Sequence, residues 1–227
     1  MGQKIAKLRR SMLYYATKQR VKLLLEEGRN IDYGHNGYPL LFYAIYFKSY
    51  RTCKYLLKNG ANVNFETSKH LMPIHIAIHF NVPRILKLLI EYGANIDGQG
   101  ENCSEVHESP LVIAMELGLP LIVKILIENG VDYYNLLIDY VKLNKREFVE
   151  VLLENCANVN LPKGAIQDGN TLLHVALKHN VSKEIVEILI RFGAQLNIKD
   201  LDGNSPIETA LRHEKIGMLK ICLLKLD

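Results

Sequence analysis

The chain has 227 residues, 48% hydrophobic and 23% charged, a balance ordinary for a globular protein and not that of a disordered tail. No apolar run reaches the roughly 18 residues needed to span a bilayer, and MGQKIAKLRR at the N-terminus lacks a signal-peptide core, so a cytoplasmic or nuclear protein without membrane contact is expected. Net charge is +4, but residues 1–22 carry seven bases and no acid, which leaves 21 bases against 24 acids in the body.

In chain order, two phrases recur after a degenerate opening segment. PLLFYA (39–44), MPIHIA (72–77), SPLVIA (109–114), NLLIDY (135–140), TLLHVA (171–176) and SPIETA (205–210) form the first, which travels with a second phrase. That second phrase is LLKNGANVN at 56–64, LIEYGANID at 89–97, LLENCANVN at 152–160 and LIRFGAQLN at 189–197. The closing Gly, or Cys156 in its place, recurs with a period of about 33 residues. Ser or Thr followed by Pro starts a helix, because the hydroxyl caps free N–H groups and Pro presets φ. RILKLLIEYG (84–93) and EIVEILIRFG (184–193) place Ile and Leu at helical spacing, and the closing Gly stops the helix in the left-handed region. Each unit therefore reads as helix, turn, helix and an extended finger. One helix pair cannot bury its own apolar stripe, so neighbours must stack.

The two phrases resemble the ankyrin repeat family, whose pattern includes T-P-L-H-x-A and L-L-x-x-G-A-x-x-N. The resemblance implies an all-α solenoid of helix-turn-helix units with β-turn fingers, forming a single domain over 1–227. Its repeats are expected at 1–33 (N-terminal cap), 34–66, 67–99, 100–133 with a long finger, 134–163, 164–199 and 200–227 (C-terminal cap). Two of them break the period. GQGENCSEVHES (98–109) lengthens one finger, whereas VDYYNLLIDYVKLNKREFVEVLLENC (131–156) keeps both helices with a short connection and replaces the usual small Ala by Tyr140. A local change of stacking is expected there.

No phosphate-binding loop, nucleophile elbow or dinucleotide fingerprint is present. No cofactor or metal is expected, and the chain reads as non-enzymatic. His75 and His79 are four apart but lack the Glu of H-E-x-x-H, and Cys103 with His107 makes poor zinc arithmetic. Cys53, Cys103, Cys156 and Cys222 form no C-x-x-C pair and read as reduced thiols. By resemblance, His75 and His174 tie adjacent repeats by hydrogen bonds. Asn64 and Asn160, eight residues after Leu56 and Leu152, resemble the ankyrin sites that asparaginyl hydroxylases modify; the alternative is that they only satisfy turn backbone groups.

The resemblance also implies a concave face of fingers and first helices that binds another protein. Two and three residues past the Ala place lie Tyr46 and Phe47, His79 and Phe80, Glu116 and Leu117, Lys142 and Leu143, Lys178 and His179, Arg212 and His213. The stripe begins aromatic and ends basic, which suits a partner with an apolar anchor and an acidic patch. Insertion of Phe47 or Phe80 between repeats is the structural alternative. Fingertip positions such as Tyr38, Lys69 and Leu71 complete the surface.

The expected role is a scaffold or inhibitor binding an intracellular protein, with a signalling protein as the narrower reading. An alternative is a viral or symbiont effector mimicking a host ankyrin inhibitor such as that of NF-κB. Nucleic-acid or phosphorylated-ligand binding on the basic patches is a further reading. The crowded apolar end KICLLKLD raises a homodimer through the C-terminal helix.

Overall fold

The computed structural model describes residues 18–28, 30–32, 34–35, 38–68, 70–98, 109–155, 158–160, 169–179, 181–215, 217–218 and 220. The chain separates into two compact units, Met1–Val131 and Asp132–Asp227. Unit 1 contains α1 (Lys18–Glu26), a two-stranded hairpin of β1 (Gly34–His35) and β2 (Tyr38–Pro39), and three helix pairs. The pairs are α2 (Leu40–Tyr46) with α3 (Tyr50–Lys58), α4 (Pro73–His79) with α5 (Pro83–Glu91), and α6 (Pro110–Glu116) with α7 (Pro120–Glu128). Unit 2 contains α8 (Tyr134–Lys142) with α9 (Arg146–Asn155), α10 (Leu172–Lys178) with α11 (Lys183–Arg191), and α12 (Pro206–Arg212).

Within each unit the helices form two rows. In unit 1, first helices α2, α4 and α6 pack in sequence, and second helices α1, α3, α5 and α7 form the other row. In unit 2, α8, α10 and α12 form the first row and α9 packs on α11 in the second. The rows meet over buried Ile and Leu side chains, such as Ile85, Leu86, Leu88 and Leu89 of α5, a run that covers one helical face. Pro73, Pro110 and Pro206 open first helices, as expected, and Thr171 and Ser205 accept the N–H groups of His174 and Glu208. Ser109 makes no such bond, so there the preset Pro110 torsion starts the helix without hydroxyl capping.

The recurring phrase closes α3, α5, α7 and α11 in one geometry. Gly60, with φ of 86°, donates its N–H to the Leu57 carbonyl at 3.1 Å, and Ala61 donates to Leu56 at 3.1 Å. This is a Schellman termination, and it recurs at Gly93, Gly130 and Gly193. First helices α2, α4, α8 and α12 end the same way, but with Lys48, Asn81, Asn144 or Glu214 at the positive-φ position where second helices use Gly; α6 keeps a glycine there, Gly118. The small residue of the first phrase has a second task here, since the Ala44, Ala77, Ala114 and Ala210 carbonyls accept the closing bond. Tyr140 takes that place in unit 2, and its half-buried ring stacks on Phe148 at 4.9 Å with 20° between planes.

Candidate functional site

The Schellman turns decide where the candidate interface residues fall. In unit 1, Tyr46 is the last residue of α2, and Phe47, Phe80 and Leu117 are the C-caps of α2, α4 and α6. Stacking α2 on α4 then brings side chains 34 positions apart into contact. The Tyr46 ring meets Phe47 at 5.0 Å (79°) and Phe80 at 4.9 Å (77°), and His79 meets Phe80 at 5.3 Å (89°). Tyr38, on β2, meets Phe42 at 5.8 Å. The Tyr46–Phe47, Tyr46–Phe80 and His79–Phe80 contacts are edge to face, a favoured arrangement for ring quadrupoles.

The rings enclose a groove of about 210 Å³ lined by Tyr38, Phe42, Tyr43, Tyr46, Ile76 and Phe80. Tyr46 remains 43% exposed at its edge, whereas Phe47 and Phe80 are half-buried. Phe80 is therefore both an inter-repeat contact and a wall of the groove. Phe42, Tyr43 and Ile76 were not singled out by position counting. The composition held a signal for them: residues 33–90 contain ten of the chain's 18 Tyr and Phe residues. Leu71 is half-buried beside the groove repeat, where Thr67 and Leu71 exchange N–H to carbonyl and N–H to hydroxyl bonds at 3.1 Å. His79 and Glu116 are exposed, as is Leu117 at the end of α6.

Unit 2 presents a different row. Lys142, Leu143, His179, Arg212 and His213 are exposed at first-helix ends. Lys178 is not an open cation. Its ammonium donates to Asn170 Oδ1 at 2.7 Å and to Asp200 Oδ2 at 3.2 Å, beneath the finger that carries Asp200. The Asp200 side chain is 1% exposed. Burial alone would push its carboxyl up, but the Asn204 N–H and the Lys178 ammonium outweigh that and hold it below the usual carboxylate value. Beside it, His174 accepts the Thr171 N–H at Nδ1 (3.1 Å) and donates from Nε2 to the Asn204 carbonyl (3.0 Å), tying its helix to the next finger. Burial lowers the His174 pKa, with the Asn204 carbonyl acting in the opposite sense. His75 Nδ1 accepts the Met72 N–H at 3.1 Å in the matching place of unit 1.

Asn64 and Asn160 bridge successive turns within their own units. Asn64 donates from Nδ2 to the Gly93 carbonyl at 3.0 Å and accepts the Asn95 N–H at 2.8 Å. Asn160 makes the equivalent bonds to Gly193 (3.0 Å) and Gln195 (2.9 Å). The side-chain amide is therefore a connector between repeats. Lys69, the tip of the long finger (99–108), most of the basic N-terminus, Cys103, Cys156, Cys222 and the C-terminal stretch 221–227 proposed for dimer contact lie outside the described residues. Among the described residues, no group of three His, Cys, Asp or Glu is placed to hold a metal, and no helix is long and apolar enough to cross a membrane. Cys53 is a buried free thiol.

Rows of paired helices joined by Schellman turns, with fingers stitched by Asn and His side chains, define a helical repeat protein. The chain belongs to the ankyrin repeat family: the profile for ankyrin repeats (3 copies) matches residues 2–67, 59–135 and 137–226. It is 28% identical over 183 residues to the ankyrin repeat protein FPV031 of fowlpox virus (strain NVSL), covering 77% of this chain and 44% of that protein. It is 25% identical over 203 residues to the human transient receptor potential cation channel subfamily A member 1, covering 85% of this chain and 15% of the channel. It thus spans less than half the length of either. A second fowlpox protein, FPV230, is 26% identical, with 86% of this chain and 89% of that protein covered. Among solved structures, the ankyrin repeat domain of Bcl-3 matches with a TM-score of 0.60 at 22% identity, covering 92% of this chain and 96% of that one. The human ASB11 ankyrin repeat domain matches with a TM-score of 0.51 at 23% identity, covering 88% and 90%.

Proposed function

We propose that this chain is a non-enzymatic protein-interaction scaffold or inhibitor, and that it holds an intracellular partner chiefly through the aromatic groove of unit 1. The observation that carries this reading is the groove itself. Exposed, preorganised rings are what dominate interface energy, because they bury large area at little cost in conformational entropy. Its volume, about 210 Å³, falls below the ~300 Å³ at which small-molecule pockets begin. Protein side chains suit it better than a metabolite. The fowlpox relatives support a narrower reading of the same site, in which the chain is a viral effector that intercepts a host protein. The likeness to Bcl-3, described as a unique member of the IkappaB protein family, bears on the fold and leaves the pathway to experiment.

The test is affinity capture from cell extract with wild type, Tyr46→Ala and, as a control in unit 2, Leu143→Ala. Tyr46 and Leu143 are both exposed, so both variants should keep their circular dichroism. Partners retained by Leu143→Ala and lost by Tyr46→Ala are the expected result. Partners lost only by Leu143→Ala would move the site to unit 2.

A further inference from the structure

Resting on the groove as the partner site, we propose that its occupant is a short acidic segment of a protein carrying one bulky apolar side chain, which fills the groove while flanking carboxylates meet the cations of α3 and α5. Charge and shape point to this occupant separately.

Residues 33–90, which supply every wall of the groove, contain seven Lys and Arg but one acid, Glu66. Glu66 is already engaged by His70. The cations follow the groove residues closely in the chain: after Tyr46, Phe47 caps α2, Lys48 stands at the turn and Tyr50 opens α3, and Arg84 lies four residues past Phe80. Over the Tyr50 ring lie the Arg84 guanidinium at 5.0 Å and the Lys54 ammonium at 6.0 Å, within the ~6 Å of a cation–π contact. Arg51, Lys54 and Arg84 are exposed, and among the described residues none of them pairs with a carboxylate. In unit 2, Lys178 is bound to Asp200 and Arg191 to Glu150, whereas Lys142, Lys145, Arg146 and Arg212 are exposed on a unit that also carries more acids than residues 33–90. An open positive patch therefore lies on the helices that follow the groove residues in the chain, and it favours an acidic partner by steering and register.

Shape narrows the choice further. A cavity of ~150 Å³ accepts a benzene ring, so about 210 Å³ admits one Leu, Phe, Met or Trp side chain rather than two. Of the rings that line it, Tyr46 and Phe80 meet edge to face, so one ring face of that pair is already covered. A single-stranded nucleic acid needs open ring faces on which successive bases stack. One inserted side chain with carboxylates on either side fits both constraints.

The protein contains no Trp, so the emission of a Trp-containing peptide reports on the peptide alone. The probe is a nonapeptide of eight glutamates around a central tryptophan, titrated with wild type, Tyr46→Ala and the exposed pair Lys54→Glu/Arg84→Glu. A saturable blue shift with wild type is expected. It should weaken at least tenfold in either variant and on raising NaCl from 50 to 500 mM, and the lysine counterpart of the peptide should give none. No blue shift with wild type would overturn the proposal, as would binding unchanged by the charge reversal. Displacement of the peptide by oligo(dT) at lower concentration than by the unlabelled acidic peptide would also overturn it, and would assign the surface to nucleic acid. The same variants in extract capture separate the two levels. Capture lost with Tyr46→Ala but kept by Lys54→Glu/Arg84→Glu sinks the acidic segment and leaves the groove; capture kept by both removes the groove as well.

Discussion

Replacing Asn64 by Ala should loosen the connection between two fingers of unit 1, and the size of the effect follows from its bonds. The amide donates to the Gly93 carbonyl and accepts the Asn95 N–H. Asn64 is in turn held by Asn62 Oδ1, which accepts its N–H at 2.9 Å, and Asn62 donates its own N–H to Asp32 Oδ1 at 2.9 Å. A net hydrogen bond contributes about 0.5–1.5 kcal/mol. Gly93 is exposed, so water replaces part of what is lost, and about 1.5 kcal/mol is expected for Asn64→Ala. Asn64→Asp keeps the acceptor, as Asp32 does one turn earlier, and should cost about half of that. Hydrogen exchange reads the effect locally, since a loss of about 1.5 kcal/mol speeds exchange of the Asn95 amide roughly tenfold if opening of this turn limits it. Urea unfolding gives the global counterpart. An unchanged Asn95 exchange rate, or equal costs for Ala and Asp, would refute the connector role and reopen Asn64 as a residue free for modification.

Four further outcomes follow from the same geometry. Asp200→Ala removes the partner of the half-buried Lys178 and should cost about 3 kcal/mol in urea unfolding. Because the Asp200 pKa is lowered in the fold, its contribution is present above the ordinary value of 3.8 and is lost as pH falls below it. The lowered His174 pKa acts earlier, since the unfolded imidazole takes its proton first and stability should begin to fall as pH drops below 6.5; a flat profile from pH 7 to 5 would contradict a buried neutral His174. The Cys53 thiol, pushed up to about 12 by burial, should not react with a thiol reagent at pH 8 until urea unfolds unit 1. Lys48→Gly relieves a lysine at φ of 54° and should stabilise unit 1 by about 0.5–1 kcal/mol in thermal unfolding.

What the sequence made legible is the part written locally. Gly60, Gly93, Gly130 and Gly193 announce their turns because only a residue without Cβ takes φ near 85° freely, and Leu56, Leu57 and Ala61 are buried around that turn as the phrase implies. The matching turns after α2, α4, α8 and α12 were hidden because Lys48, Asn81, Asn144 and Glu214 stand where Gly would have marked them. Side-chain partnerships between repeats were hidden for a different reason. Tyr46 and Phe80 meet only through the stacking of α2 on α4. Lys178 read as one more base in a stripe until the next finger brought Asp200, 22 residues on, against it. The division after Val131 falls where the period shortens, a place the sequence had marked as irregular without defining its consequence.

The claim that the unit 1 groove is the partner surface is tested most directly by a hydrogen-exchange footprint of the captured complex against the free chain. Protection concentrated in residues 38–48 and 76–84, with 142–146, 178–179 and 211–214 unchanged, is the predicted result. Protection confined to the unit 2 segments, with 38–48 and 76–84 exchanging as in the free chain, would contradict it.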